Sequence, residues 1–416
     1  MTFMKKTLAA SIAVAAASSM AISTAHAEIS DGEVRIGYLA DMSGTYRDLA
    51  GPGGQTAMEM AVADFGGSVN GSPIVIFSAD DRNSADVGAN TVREWIDQRN
   101  VDMVGGLVAS SVSIAVTKVL EENDGLGIVS GSAASSITNE HCTPNHIHWV
   151  YDTYPLANGT AKAVVEQGGD SWFLLTADYA FGHALEADVT SVVEANGGEI
   201  VGGVRHPFPT SDFSSYILQA QGSGAKIVGL ANAGADTVNA ITTASQFGLT
   251  QSGQQLAGLL IFLNDVHALG LEATQGLLLT TGWYWDMDEE SRAWSERYFE
   301  QTGRMPTMVQ AGIYSSTLHY LNAVAATGSD DTAMQGSWRR SPGAELLGLL
   351  RRDAGGRLPL VAEDLGVITP DVEQLRDRFR LPGMKILQFA FDGNPDNPYL
   401  PANIRGAHWV VYTGTH

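Results

Sequence analysis

The stretch VRIGYLADMSGTYRDLAGPGG, residues 34–54, decides the fold. Residues 34–40 form an apolar, β-branched run of the kind that becomes a strand buried on both faces. A polar loop follows, Asp41 to Tyr46, with Gly44 in it. Residues 51–65 then place Ala57, Met58, Ala61, Val62 and Phe65 at helical spacing. Strand, loop and helix in that order put the loop at the carboxyl end of the strand, where open α/β sheets bind ligands. Ser43 supplies a hydroxyl there and Tyr46 a flat wall.

Outward from this unit the same alternation recurs. Strand patterns occupy 74–79, 101–108 and 127–131, separated by helical patterns at 85–96 and 112–122. After an aromatic segment at 148–154 the series restarts, with strands at 171–176, 200–205, 227–231, 259–263 and 276–281 and helices at 156–167, 181–195, 213–221 and 237–247. Further helices are expected at 291–301 and 309–326. Such alternation predicts parallel sheets covered by helices on both faces. Two series joined at an aromatic crossover predict two doubly wound lobes with a cleft between them, lobe 1 from 34–150 and 284–332 and lobe 2 from 151–283.

The chain has 416 residues and a formal net charge of −22, which argues against nucleic acid and against an anionic membrane surface. Lys5 and Lys6, the apolar run 8–22 and the Ala25-His26-Ala27 site form a secretory signal peptide, cleaved after Ala27. The mature protein is therefore expected in the periplasm. Cys142 is the single cysteine, so no internal disulfide can form. His141, Cys142, His146 and His148 cluster, but their spacing fits no zinc pattern, and no metal or other cofactor is expected. Gly51 to Gly54 lacks the spacing of a dinucleotide fingerprint and the Lys of a phosphate loop.

The stretches VRIGYLADMSGTYRDLAGPG, FSADDRNSADVGAN (77–90), HWVYDTY (148–154), LLTADYAFGHAL (174–185), ANAGADT (231–237) and TGRMPTMVQAGIYS (302–315) carry a family resemblance. Over residues 34–330 the chain resembles the type I periplasmic solute-binding proteins of ABC importers, in their Leu/Ile/Val-binding branch. The resemblance implies a solute trapped between two lobes by hinge closure, and an inner-membrane ABC permease as partner. It also implies that Ser110 and Ser111 bind a ligand carboxylate at a helix N-terminus. Ser132, Ala133 and Ser135 occupy the next loop on that side. From the other lobe Tyr179, Asn232 and Asp265 stand at expected strand ends, and Asp265 or Asp236 would meet an ammonium. Tyr46, Tyr151 and Trp283 would form an apolar wall. A plain reading stands beside each: Ser110 as a helix N-cap, Asp236 as a cap, Tyr151 as crossover packing.

Past residue 332 the character changes, and Arg339, Arg340, Arg351, Arg352, Arg357, Arg376, Arg378 and Arg380 crowd the tail. A separate segment is expected at 333–416, with strands at 358–362, 384–391 and 409–413 and a helix at 370–379. LPLVAEDLGVITPDVEQLRDRF (358–379), LPGMKILQFAFDGNPDNPYLP (381–401) and VVYTGTH (410–416) resemble the 4-α-glucanotransferases. That family implies a fragment of a (β/α)8 barrel, with Glu363 matching the general acid/base. Retaining glycosyl transfer needs a second carboxylate about 5 Å from the acid. The family's Arg-x-Asp-His nucleophile motif does not occur before Gly336, and its third carboxylate would follow His416. One of three catalytic carboxylates remains, so Glu363 is expected to be vestigial. The expectation is a non-catalytic solute-binding protein for an amino acid or related small carboxylate or amide. The alternatives are a glucanotransferase resting on the tail, or a sensor domain for the same ligands.

Overall fold

The computed structural model describes residues 29–328, 343–353, 356, 358, 360–362, 370–386, 397, 399–404 and 409–412. It divides into two compact units, Met1–Gly336 and Ser337–His416.

In chain order the first unit carries β1 (Val34–Ala40), α1 (Gly51–Phe65), β2 (Ser68–Val69), β3 (Ser72–Asp80), α2 (Ala85–Arg99), β4 (Met103–Gly106), α3 (Ser110–Glu122), β5 (Leu126–Val129) and β6 (His146–His148). Then come α4 (Thr153–Glu166), β7 (Ser171–Ala177), α5 (Ala180–Ala195), β8 (Glu199–His206), α6 (Ser214–Gly222), β9 (Ile227–Ala231), α7 (Ala235–Gln246) and β10 (Gln255–Gly258). Four helices complete it: α8 (Leu263–Leu269), α9 (Leu271–Thr274), α10 (Glu289–Thr302) and α11 (Met308–Thr327).

These strands make two sheets, ordered β2-β3-β1-β4-β5-β6 and β10-β9-β7-β8. All pairings are parallel except the short β2–β3 ribbon. Each sheet starts at a central strand (β1 or β7), steps to one side (β3 or β8) and then crosses to the other (β4 or β9). The direction reverses between β1 and β4 in lobe 1 and between β7 and β9 in lobe 2. Carboxyl ends at such a reversal leave a crevice, because adjacent connections leave the sheet on opposite faces. The fold thus supplies one crevice per lobe.

The central strands are apolar because both faces are covered, whereas edge strand β8 alternates exposed and half-buried residues. Ile36, Tyr38, Leu39, Trp172 and Leu175 are fully buried. Helix α1 packs on α11 through glycines: a side chain at Gly54 would strike the Tyr38 hydroxyl and lie 2.9 Å from Ile313. The Tyr38 hydroxyl also donates to the carbonyl of Gly51, 3.0 Å away, tying β1 to the start of α1.

Several expected elements differ. The strand expected at 101–108 ends at Gly106, because Gly106 and Leu107 both take positive φ. The strand expected at 259–263 lies earlier, at β10, where Gln255–Gly258 pair with Ile227–Leu230. Leu259 to Phe262 are instead a buried connection leading into α8. A continuous apolar run does not reveal by periodicity which of its residues pair. The strand expected at 276–281 reduces to one bridge, Ala257 with Leu278.

The second unit shows α12 (Gly343–Asp353), α13 (Pro370–Phe379) and two parallel strands, β11 (Gly383–Ile386) and β12 (Trp409–Tyr412). The Lys385 ammonium lies 4.3 Å from the centre of the Trp409 ring, and the Arg376 guanidinium 4.8 Å from it. The strand expected at 358–362 is not formed at its described residues. Glu363 and the signal segment 1–27 lie outside the described residues.

Candidate functional site

The loop after β1 is built on one carboxylate. Asp41, buried, accepts the N–H groups of Ser43 (3.2 Å), Gly44 (2.6 Å) and Tyr46 (2.8 Å). A side chain at Gly44 would sit 2.8 Å from that carboxylate, so the turn needs glycine. Asp80, at the end of β3, accepts the Met42 N–H and the Ser43 hydroxyl at 3.0 and 2.7 Å. Burial raises the Asp80 pKa, but these hydrogen bonds outweigh it and hold the carboxyl below its usual range. Ser43 is therefore committed to its own lobe. What the loop presents outward is the Tyr46 ring.

Tyr46 meets lobe 2. Its hydroxyl contacts the Tyr179 hydroxyl across the cleft. Phe208 stacks on Tyr179 with ring centres 4.4 Å apart and lies 5.2 Å from Tyr46. The Ala235 N–H donates to the carbonyl of Thr45 at 3.1 Å. Asn264 donates to the carbonyl of Asp48 at 3.2 Å, and Ser135 donates to Asp188 at 3.1 Å. Gly234, φ +60°, makes the contact possible: a side chain there would lie 2.6 Å from the Thr45 oxygen. The two lobes are closed on each other.

Between them lies a cavity of about 10 Å³. Lobe 1 lines it with Tyr46, Leu49, Val108 and Ala133, lobe 2 with Tyr179, Phe181, Ala233, Leu260 and Phe262, and the crossover with Tyr151. That volume is near the room of one water, so admitting any larger solute requires the lobes to part. The walls are apolar apart from the tyrosine hydroxyls. Burial, chiefly, pushes the Tyr46 and Tyr179 hydroxyls well above the ordinary tyrosine pKa, so they remain protonated donors.

Asp236 is one of several buried groups with an unmet polar atom. It sits in the first turn of α7, 1% exposed. One carboxylate oxygen accepts the Thr210 N–H at 3.1 Å; the other is buried with no hydrogen-bond partner. Burial raises its pKa to about 7, partly offset by Thr210. Its charge bears on both Tyr46 and Tyr179, but it is not among the residues that line the interlobe cavity. His206 Nδ1 lies 3.8 Å from it, but burial lowers the His206 pKa, so the pair is not an ordinary ion pair.

The remaining expected site residues divide. Ser110 and Ser111 are the first residues of α3 rather than a loop before it, and the N-cap is Ala109. Ser110 is buried and its hydroxyl accepts the Ala134 N–H at 3.2 Å, clamping the loop after β4 to the loop after β5. Ser132 donates to the carbonyl of Leu107 at 3.0 Å and pairs with Ser113, a purely internal role. Asn232 is fully buried, bonded to His206 (3.1 Å) and Thr237 (2.7 Å). Asp265 is not at a strand end: it caps α8, accepting the Phe262 N–H at 3.1 Å, and burial raises its pKa to about 6. Trp283 is not in the tyrosine wall but lines a separate cavity, which Tyr151 also borders. His146 and His148 hold the neighbouring loops, bonding the carbonyls of Ile137 (3.2 Å) and Ser132 (2.8 Å). Among the described residues no three His, Cys, Asp or Glu side chains converge on a metal position, and no helix is long and apolar enough to cross a membrane. Phe208, Leu260 and Phe262 escaped the sequence reading, because apolar residues in connections carry no periodic signal.

Residues 33–335 match the family model described as periplasmic binding protein, and residues 267–416 match the model described as 4-alpha-glucanotransferase. A solved periplasmic binding protein from Burkholderia mallei is 54% identical, with a TM-score of 0.71, covering 72% of this chain and 80% of that one. A branched chain amino acid ABC transporter periplasmic ligand-binding protein from Burkholderia xenovorans is 37% identical, TM-score 0.63, over 72% of this chain and 80% of that one. The tail is 55% identical over 87 residues to the 4-alpha-glucanotransferase of Synechocystis, 21% of this chain but only 17% of that enzyme. With a closed two-lobed cleft at paired strand-order reversals and a family match over most of its length, the chain belongs to the periplasmic binding protein family.

Proposed function

We propose that the chain is the ligand-binding component of an ABC importer, exported to the periplasm after cleavage behind Ala27. Its ligand is an α-amino acid with an apolar or aromatic side chain. The observation that carries this reading is Asp236, one of whose carboxylate oxygens stays buried without a partner in the first turn of α7, next in sequence to the Ala235 N–H that bonds Thr45 across the lobes. An unpartnered buried carboxylate costs several kcal/mol unless a cation meets it. A ligand ammonium would supply that cation and lower the Asp236 pKa in doing so. The ligand carboxylate would take the free N–H groups at the start of α3, by Ser110 and Ser111. The side chain would lie among Tyr46, Tyr151, Tyr179 and Phe262. The two-lobed domain then spans 28–332 and the glucanotransferase-like segment 333–416.

Calorimetry with leucine, phenylalanine, the deaminated analogue 4-methylpentanoate and isopentylamine tests this. The reading requires tight binding of an amino acid and weak binding of both truncated analogues. Equal affinity for 4-methylpentanoate would remove the role of Asp236, and a response to maltooligosaccharides alone would overturn the assignment.

The tail's similarity favours a second reading, glycosyl transfer on α-1,4-glucans. The chain spans about 17% of the length of that relative. Glu363 matches the general acid/base, the family's nucleophile motif does not occur before Gly336, and one carboxylate cannot serve as both acid and nucleophile. We infer no transglycosylation. Disproportionation of maltotriose by the purified protein, abolished by Glu363→Gln, would reverse that inference.

A further inference from the structure

Four strands stand at the edges of the two sheets of the first unit, β2 and β6 in lobe 1 and β10 and β8 in lobe 2. Three of them are short, with two residues in β2, three in β6 and four in β10. The outer side of β10 also carries the bridge from Ala257 to Leu278. β8 differs. It runs for 8 residues, EIVGGVRH at 199–206, and pairs only with β7. Its two further backbone bonds run from the Glu199 N–H to the carbonyl of Asp170 and from the Asp178 N–H to the carbonyl of His206. Asp170 and Asp178 flank β7, so these bonds also lie on the inner side of β8. Among the described residues no backbone group bonds to its outer side. Exposed edges are usually blunted by Lys, by Pro or by brevity. β8 contains neither Lys nor Pro. Its one irregularity is at Val201, which has no partner opposite it in β7 and is 44% exposed.

We propose that the outer edge of β8 pairs antiparallel with β8 of a second copy of this chain, joining two four-stranded sheets into one. The order of residues selects both the partner and the register. Glu199, Val201, Gly203 and Arg205 are the exposed positions, so the one acid and the one arginine of the strand share a face. A two-fold axis through Gly202 sets Glu199 of each copy opposite Arg205 of the other. An isologous contact repeats every pair, so both ion pairs form together. Opposite charges directly across antiparallel strands favour pairing, and like charges oppose it. The same register lays Ile200 beside Val204, each half-buried in the single copy, and Val201 beside Gly203. Any other antiparallel register loses the ion pairs. Arg205 already bonds Glu186 through Nε and Nη2, at 3.2 and 2.9 Å. Its Nη1 makes no bond among the described residues and its side chain is 51% exposed, so a second carboxylate can reach it. The contact uses lobe 2 alone and does not rest on what binds between the lobes. It bears on the cleft all the same. β8 leads directly into Phe208, stacked on Tyr179, and Thr210, bonded to Asp236, so pairing would hold the base of that loop.

Sedimentation equilibrium of the full-length protein, from micromolar to near-millimolar concentration, tests this. A monomer–dimer equilibrium is expected. Val201→Lys puts a charge on the edge at an exposed position and should weaken dimerisation about tenfold or more. Glu199→Arg and Arg205→Glu each set like charges opposite one another twice per dimer, and each should weaken self-association about tenfold. Mixed in equal amounts, these two variants regain both ion pairs, and association should return to within about threefold of the parent. Circular dichroism checks that each variant is folded. A monomer at every concentration overturns the proposal. A dimer indifferent to Val201→Lys and Glu199→Arg overturns it too, because its contact then lies elsewhere, the tail segment included. Mixed variants that fail to associate would remove the Glu199–Arg205 register and the proposal with it.

Discussion

The two walls of the cleft are built on the same topology and finished differently. Lobe 1 ends its strands in groups already bonded within the lobe: Asp41 to three backbone N–H groups, Ser43 to Asp80, Ser110 to Ala134, Ser132 to Leu107. Lobe 2 ends its strands in Gly234, which lets the backbones touch, and in Asp236, which keeps one oxygen unpaired. Orphan oxygens are not confined to lobe 2, since Asp81 in the lobe 1 loop after β3 keeps one as well, but the lobe 1 groups named here are bonded within their lobe. On the proposed reading, closing over a cation-bearing ligand would give the unpaired Asp236 oxygen its partner.

The comparison breaks most completely at Gly234. Gly234→Val forces a side chain against the Thr45 oxygen and the Tyr46 ring at a positive φ. Solute affinity should fall about 100-fold or more, the scale of a 3 kcal/mol steric and backbone penalty, while circular dichroism stays unchanged. Retained affinity would mean that ligand-bound lobes do not meet at this contact.

Asp236→Asn comes next. It should weaken an amino acid roughly 30-fold, the cost of about 2 kcal/mol for a charge-assisted pair, and leave 4-methylpentanoate unaffected. The same variant sharpens a pH argument. The Asp236 pKa rises from 3.8 to about 7 on folding, so the native state holds its proton more tightly than the unfolded chain. Its destabilising effect is absent below 3.8 and complete above about 7, so the unliganded protein should lose stability as pH rises through that window. Asp81, raised to about 7 by burial, acts in the same direction. Unfolding temperature against pH should therefore flatten in Asp236→Asn without becoming level, and an unchanged profile would show that Asp236 carries no such shift.

Tyr46→Phe removes one hydroxyl of the bridging pair and should cost about fivefold in affinity, near 1 kcal/mol. At the small end, Ser43→Ala removes a bond internal to lobe 1 and should change affinity less than twofold. A larger loss would return Ser43 to the ligand shell.

The lobes were legible because parallel strands buried on both faces announce themselves as apolar runs, and residues 34–40 and 171–176 did so cleanly. Tyr46 and Tyr179 were legible from topology, being aromatic residues just past strand ends. Asp265 was misplaced because its position hung on a strand that forms four residues earlier, in β10. Trp283 was misplaced because nothing local tells which side of a crossover an indole will face. Asp236 could be named but not ranked, since an orphan oxygen is a property of the folded surroundings. The tail was legible as another family's sequence, while the fold of part of its motif, Glu363 included, lies beyond what the structure describes.

Tyr151 borders both the interlobe cavity and the tryptophan-lined one, two residues from Trp149. A shift of that crossover when the lobes part must carry the ring of Tyr151 and the indole of Trp149 together. The protein therefore contains its own optical gauge. Intrinsic emission from the crossover should register solute capture in unlabelled material, and Trp149→Phe should reduce that signal without touching a residue of the interlobe cavity.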